Sequence, residues 1–395
     1  MNILYIGYWG ANEGLSEATI YPHLQILTEF EHVSKVIYVS IERAGEVDFR
    51  VPKHNKLLHI PLKANRTPIR ILNKLYELIS FNKQLQNIAK NLRVDLVICR
   101  SSLAGNYGLH INRRLNIPFT VESFEPHADY MAELNVWSRN GPSYLFQKRQ
   151  EERQKKYAYH LYPVAENYTR KLIEEGVSAN RVSTLPCAVN LDMFSFNQKK
   201  RLSVRKKYGI KAESLVGIYV GKFGGIYLSH RSAFDLFKSA HDCFEDFKLI
   251  LLTPEKKESI LHVAREVLFP IKDLIVTKVP HNKVPDYLCA SDFAFSLHYP
   301  SDSMKYVSPI KNGEYWAVGL PVIINDGIGD DSNILKETKK GSLIEVDNHE
   351  KSFEKIKGIL NEPSHRSDIR DLAVINRSFS RVHDAYESII SKLKS

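Results

Sequence analysis

Short apolar runs alternate with helix-length amphipathic stretches along almost the whole chain, and this rhythm constrains the fold more than any other feature. Ile3–Ile6, Val36–Val39, Leu57–Ile60, Leu96–Cys99, Phe119–Glu122 and Leu161–Val164 each suit one buried strand. Between most of them lie amphipathic segments such as Leu15–Glu29, Ile69–Asn91 and Leu145–Tyr157. Continuously apolar strands joined by helices belong to parallel sheets covered on both faces. The rhythm breaks at the polar stretch Asn190–Lys200 and then restarts. Strands are expected at Leu215–Val220, Lys248–Leu252, Asp273–Val276, Asp292–Phe295, Pro321–Ile324 and Leu343–Val346, with helices near Arg231–His241, Lys256–Val267 and Val284–Ala290. The expected class is α/β, with two tandem doubly wound, Rossmann-like domains facing across a cleft. Residues 1–189 form the first domain, 190–200 a linker and 201–376 the second. A final helix over 377–395 returns to the first.

With 395 residues the chain has room for two such cores. No run of about 18 apolar residues is present, so no membrane-spanning helix is expected. The opening MNILYIGYWG lacks a basic leader region and reads as a first strand. Cys99, Cys187, Cys243 and Cys289 are scattered and form no CxxC pair. Free thiols in a reducing, cytoplasmic compartment are the expectation. There is no HExxH and no D-x-D, so no metal site is expected. The net charge of +10 is spread along the chain, without a zinc finger, RRM signature or basic zipper. Nucleic acid is therefore not the expected partner, and an acidic substrate or anionic surface fits better.

In doubly wound sheets, ligands bind beyond the carboxyl ends of the strands, near the point where strand order reverses. Motifs that follow strands are therefore the candidates. SPIKNGEYWAVGLPVIIN (Ser308–Asn325) reads as a helix feeding a strand. Ser308 suits the N-cap and Pro309 the first helical position, the helix runs to about Ala317, and Gly319 suits a left-handed cap. A helix N-terminus at Ser308, Pro309, Ile310 and Lys311 offers free N–H groups to a phosphate, and Glu314 lies one turn in, within reach of a hydroxyl beside it. Both Lys311 and Glu314 equally suit a solvated helix face. GYWGANEG (Gly7–Gly14) follows the first strand, and its glycines, Gly10 among them, let backbone approach a ligand closely. VGKFGG (Val220–Gly225) sets Lys222 among Gly221, Gly224 and Gly225, where an ammonium can meet a diphosphate. Neither has the G-x-G-x-x-G or P-loop spacing, and each also suits an ordinary turn. ESFEPHAD (Glu122–Asp129) gathers Glu122, Glu125, His127 and Asp129 at a strand tip, as chemistry or as surface capping. Val279–His281, at the end of another strand, offers main-chain groups to a nucleobase.

The order of these pieces resembles the GT-B retaining glycosyltransferases of the "glycosyl transferases group 1" type, over nearly the whole chain. VGKFGG, VPHNKVPDYLCASDFAFS and SPIKNGEYWAVGLPVI carry most of the likeness. Ala165–Phe194 is also similar to the family's segment leading to the linker, with Cys187–Ala188–Val189–Asn190 where an Asn-Gly-Val-Asp string is usual. The resemblance implies a retaining, metal-independent transfer from a nucleoside diphosphate sugar to a glycan or lipid-linked acceptor, in surface polysaccharide or glycoconjugate synthesis. No cofactor is implied beyond that donor. Glu314 would hold the ribose hydroxyls. Lys222 would neutralise the leaving diphosphate, and His127, with Glu125 beside it, would serve the catalytic centre. Gly10, Gly221, Gly224, Val279, His281 and Ser308 to Lys311 would line the donor. The family's second glutamate, eight positions before the first, is Tyr306 here, and Ser301–Lys305 are candidates to replace it. An epimerase or phosphorylase of the same fold, or a non-catalytic sugar-nucleotide-binding subunit, stays open. Arg66–Arg93 has apolar residues at helical spacing with a basic remainder. Such a helix suits an anionic membrane surface near a lipid-linked acceptor, or simply covers a sheet.

Overall fold

The structure, a computed structural model, describes residues 1–43, 48–64, 70–345 and 348–394. The expected helix start at Ile69, the first residues of Arg66–Arg93 and the expected strand end at Val346 lie outside the described residues. The chain divides into two compact units, Met1–Cys187 with Phe379–Ser395, and Ala188–Ser378.

The first unit runs β1 (Asn2–Gly7), α1 (Gly14–Thr19), α2 (Tyr21–Glu29), β2 (Lys35–Glu42), β3 (Leu57–Lys63) and α3 (Arg70–Asn91). It continues with β4 (Leu96–Arg100), α4 (Ser102–Leu115), β5 (Phe119–Phe124), α5 (His127–Glu133), α6 (Pro142–Tyr157), β6 (His160–Pro163) and α7 (Glu166–Glu174). Its six strands pair in the order β3-β2-β1-β4-β5-β6, every pair parallel. The order reverses between β1 and β4, so the ligand edge of this unit lies beyond Gly7 and Arg100.

The second unit starts with α8 (Gln198–Lys207), β7 (Leu215–Val220), α9 (His230–Cys243), β8 (Phe247–Leu252), α10 (Lys257–Glu266) and β9 (Leu274–Thr277). There follow α11 (Val284–Ala290), β10 (Phe293–Ser296), α12 (Ile310–Ala317), β11 (Val322–Ile324), α13 (Asp331–Thr338), β12 (Gly341–Leu343), α14 (His349–Leu360) and α15 (His365–Arg377). The last helix, α16 (Ser380–Lys392), belongs to the first unit. The second sheet has the order β12-β11-β10-β7-β8-β9, again all parallel, and reverses between β7 and β10. Both cores rest on the apolar runs of the central strands: Ile3 to Ile6 and Leu249 to Leu251 are fully buried.

Several boundaries differ from expectation. Leu15–Glu29 is two helices, because Pro22 has no N–H to continue the ladder and sits in the first turn of α2. Strand β10 begins at Phe293, one residue later than expected, although the Asp292 N–H still donates to the Val216 carbonyl at 2.8 Å; the Asp292 carboxylate binds Arg201 and Arg205 of α8 at 2.7 Å each and the Val216 N–H at 2.8 Å. Strand β12 begins at Gly341 rather than Leu343, where a Cβ would lie 2.6 Å from the Val322 carbonyl oxygen. Asn190–Lys200, expected as a linker, is folded into the second unit. Phe194 is buried, Arg370 donates to the Leu191 and Phe194 carbonyls at 2.9 Å each, and Asn197 caps α8 through the Lys200 N–H. The polarity of that stretch marks a capped helix start. No helix among the described residues is long and apolar enough to cross a membrane.

Candidate functional site

The second unit gathers most of the candidate residues where its strand order reverses. The chain leaves β7 at Val220, whose N–H donates to the Tyr315 hydroxyl at 3.0 Å. Gly221 then turns with φ +145°, Gly224 with +74° and Gly225 with +63°, backbone conformations that side chains resist. Glu255 pins this loop by accepting from the Phe223 N–H at 2.8 Å and pairing with His230 at 2.5 Å. Lys222 is exposed beside it, and its carbonyl accepts the Tyr219 hydroxyl.

Helix α12 starts one residue later than expected. Pro309 is the N-cap, and Ser308 is a buried anchor instead. Ser308 receives Arg377, which also pairs with Asp331, while Asp331 accepts from Asn312 at 2.7 Å. This buried network fixes the first turn of α12 in the sheet's ligand edge. Gly319 ends the helix with φ +77°, and a Cβ there would come within 2.4 Å of the Arg366 carbonyl oxygen. Glu314, 6% exposed, accepts from His281 Nε2 at 2.7 Å. His281 opens a short 3₁₀ turn just after β9, with Val279 two residues before it and the Phe194 ring 5.4 Å away. Gly221, Lys222, Gly224, Val279, His281, Ser308, Pro309, Ile310, Lys311 and Glu314 thus all belong to loops and helix starts at the carboxyl ends of this one sheet. Tyr306, at the position of the family's other glutamate, is buried in a 3₁₀ turn over Asp302–Tyr306.

Lys311 is the residue whose side chain the sequence reading undervalued. The residue as a whole is half-buried, but its Nζ is enclosed and has no hydrogen-bond partner among the described residues. The ammonium lies 4.9 Å from the Tyr219 ring centroid and 4.1 Å from that of Tyr227. Burial pushes its pKa down to about 7, against the pull of Glu314. His298, just past β10, is also buried, and its Nδ1 has no partner among the described residues. Burial and the Lys311 charge lower its pKa to about 3. The three-residue spacing of Lys311 and Glu314 on one helix face is the signal the sequence offered.

In the first unit, Gly10 is buried, and the loop amides are already occupied. Gly10 N–H donates to Glu13 and Ala11 N–H to Glu42, each at 2.9 Å. A Cβ at Gly10 would lie 2.9 Å from Glu42 Oε2. The ESFEPHAD cluster separates into parts. Glu122 turns into the core and binds Arg100, Tyr5 and Tyr386. Asp129 pairs with Lys148 at 2.7 Å and accepts from Tyr144 at 2.8 Å. Glu125 and His127 remain together at 3.6 Å, near the end of β5, with Trp137 edge-on to the imidazole. Beneath them sits Glu151 of α6, which sequence reasoning missed. It accepts from the Ala128 N–H at 3.0 Å and from Gln147 at 3.1 Å, and burial still pushes its carboxyl up to about 7.

Two further features involve none of these residues. His383, Asp384 and Glu387 on α16 could together approach a metal ion; the two acidic residues are exposed. A groove of about 420 Å³ runs among α3, α4 and α6, lined by His110, Arg113, Arg114 and Arg153 with Leu78 and Phe146.

No protein-family model matches the chain. Over 161 residues it is 28% identical to TuaC of Bacillus subtilis (strain 168), named as a teichuronic acid biosynthesis glycosyltransferase; the match covers 40% of this chain and 37% of that protein. The chain thus spans little more than a third of the length of the curated relative it matches. Among solved structures it is similar to sucrose-phosphate synthase from Thermosynechococcus elongatus, with TM-score 0.74, 14% identity and coverage of 100% of this chain and 99% of that one. It is also similar to HepE of Anabaena, solved with UDP and glucose, at TM-score 0.71 and 10% identity, covering 99% of this chain and all of that one. A third is WaaG, a glycosyltransferase involved in lipopolysaccharide biosynthesis, at TM-score 0.68 and 16% identity, covering 97% of this chain and 98% of that one. With two six-stranded parallel sheets, each flanked by helices and reversing at its first strand, and with full-length likeness to these enzymes, the chain has the GT-B fold.

Proposed function

We propose that this protein is a glycosyltransferase that moves a sugar from a nucleoside diphosphate sugar to a glycan or lipid-linked acceptor, with retention and without a metal in the chemical step. The observation that carries this reading is the enclosed Glu314 carboxylate, fixed by His281 one turn inside α12, at the ligand edge of the second sheet. A carboxylate there suits a pair of vicinal ribose hydroxyls, which can donate to it. The phosphates would then meet the first turn of α12 and the glycine loop after β7, where N–H groups and the partial positive end of the helix favour an anion. Lys222 is exposed on that loop and can follow the diphosphate as charge develops on it. Stabilising developing charge with preorganised groups lowers a barrier more than holding the ground state does. Glu125 and His127 would serve the transfer step.

HepE has been solved with UDP and with UDP-glucose, and MnaA of S. aureus with UDP, which supports a uridine donor as the first to try. Synthesis of a surface polysaccharide or glycoconjugate accords with what TuaC and WaaG are named for. The basic groove among α3, α4 and α6, with Tyr76, Ile79, Leu145 and Phe146 exposed on α3 and α6, supports peripheral contact with an anionic membrane. A cytoplasmic location, on the membrane's cytoplasmic face, agrees with that contact. Thermal-shift measurements against a panel of nucleotide sugars test the central claim, since the true donor stabilises by mass action. Stabilisation by one donor and transfer to an acceptor extract are expected. Turnover of donor into a stereoisomer without acceptor, or a bound pyridoxal chromophore, would point to the epimerase or the phosphorylase instead.

A further inference from the structure

Lys311 raises a problem that the fold alone does not answer. An ammonium enclosed without a hydrogen-bond acceptor is costly, and lysines usually snorkel to avoid it. Here the residue as a whole is half-buried, yet its Nζ is enclosed. Its neighbours come from every element around it. Tyr219 of β7 and Tyr227 of the following loop present ring faces, Glu314 lies on the same helix, and His298 follows β10. Tyr227 lies beside both Lys311 and His298, with its ring 5.2 Å from the His298 imidazole. The wall over the ammonium is Gly221, where a Cβ would stand 3.2 Å from Nζ. Gly221 is the last thing β7 presents before the loop, at the reversal point of the sheet. The ammonium is therefore one glycine away from the place where an anion would sit.

We propose that the Lys311 side chain, rather than its backbone alone, meets the terminal phosphate of a bound nucleoside diphosphate, and that it takes up one proton from solvent as the phosphate arrives. This rests on the nucleotide-sugar reading above. Burial keeps much of the amine neutral at mildly alkaline pH, because the rings of Tyr219 and Tyr227 offer only weak compensation for its charge. A phosphate supplies the missing acceptor and the missing negative charge, so the bound amine holds its proton. When the nucleoside diphosphate leaves, the proton returns to solvent. Nucleotide affinity is thereby tied to pH through a residue inside the protein. The phosphate does not take the proton itself: with a second pKa near 6 it is already ionised.

Calorimetry with the whole protein at pH 8 tests this, using UDP, GDP and ADP and their nucleosides in two buffers of different ionisation enthalpy. For the diphosphate that binds, the enthalpy should differ between buffers by an amount that corresponds to uptake of nearly one proton, and the matching nucleoside should show none. Lys311→Met should abolish the uptake and weaken the diphosphate roughly tenfold to a hundredfold, the range of a charged hydrogen bond. Lys311→Arg should bind with no uptake, since its guanidinium is always charged. Lys311→Met should also melt no lower than the parent, because it removes an enclosed charge. If Lys311→Met fails to fold, Lys311→Arg decides: uptake that persists in it overturns the proposal. Diphosphate binding with buffer-independent enthalpy overturns the proposal and leaves the nucleotide reading standing. So does uptake that survives Lys311→Met and vanishes in His298→Asn. Absence of binding by every diphosphate overturns both.

Discussion

Two residues on the second sheet's ligand edge are charged for different tasks, and single substitutions should separate them. Glu314 is enclosed and already bonded to His281, so it is preorganised to accept and gains little from moving. Glu314→Ala should weaken nucleoside diphosphate binding by roughly 1.5–3 kcal/mol, the worth of hydrogen bonds to a charged group. Calorimetry reads this directly, and unchanged affinity would remove Glu314 from the ribose role. Lys222 is exposed on a loop held by Glu255, so it costs little to desolvate only when the donor is in place. Its contribution should appear as charge grows on the leaving diphosphate. Lys222→Ala should lower kcat on the order of a hundredfold, with a smaller change in the donor's KM. A variant with parental kcat and a raised KM would show that Lys222 only holds the donor.

At the scale of elements, the return of α16 to the first unit depends on a buried polar cluster. Tyr386 of α16 donates to Glu122 of β5, His23 Nδ1 of α2 bonds the same hydroxyl at 2.7 Å, and Arg100 of β4 lies 3.3 Å from the carboxylate. Burial alone would raise the Glu122 pKa, but its partners outweigh burial and hold it down to about 2 from an ordinary 4.5. Burial also lowers the pKa of His23, against the pull of Glu122, and the Arg100 guanidinium adds its charge beside the same carboxylate. A depressed carboxyl stabilises the fold above its unfolded pKa and loses that stabilisation as pH falls through the folded value. The first unit should therefore lose about 3 kcal/mol between pH 4.5 and 2 on account of Glu122. Tyr386→Phe should destabilise that unit by roughly 1.5–3 kcal/mol at neutral pH. Denaturant melts at several pH values check both; a first unit whose midpoint is indifferent to pH below 4.5 contradicts the first. The helices and strands themselves were largely legible in the sequence, because continuous apolar runs and 3.6-residue periods are local signals. What was not legible depends on partners far along the chain. Glu122 looked like a site residue until Arg100 and Tyr386 claimed it. Ser308 looked like a cap until Arg377 took its hydroxyl. Lys311 was visible as a charge near a helix start, but nothing local says that its ammonium turns inward under Gly221.

Across the whole molecule, the units differ in how the chain builds them. The second is one continuous segment, Ala188–Ser378, while the first is closed by a helix contributed from the far end. Every donor candidate except Gly10, with the Arg377–Asp331 anchor of α12, lies in the continuous segment. Residues 188–378 expressed alone should therefore fold and bind the nucleoside diphosphate within about tenfold of the full chain, a loss no larger than 1.4 kcal/mol. Residues 1–378 should behave differently. Without α16 the chain loses the buried side chains Val382, Tyr386, Ile389 and Ile390 and leaves their seats open to water. At about 1.5–3 kcal/mol for each such side chain, the loss is comparable to the whole stability of an ordinary domain. The first unit of that truncated chain should be digested rapidly by a low dose of protease, while a fragment near 188–378 persists and still binds UDP or whichever diphosphate the full protein selects. A truncated chain that resists proteolysis throughout would mean that α16 contributes little to the first core. An isolated second unit that folds but binds far more weakly would mean that residues outside 188–378 contribute to holding the nucleotide.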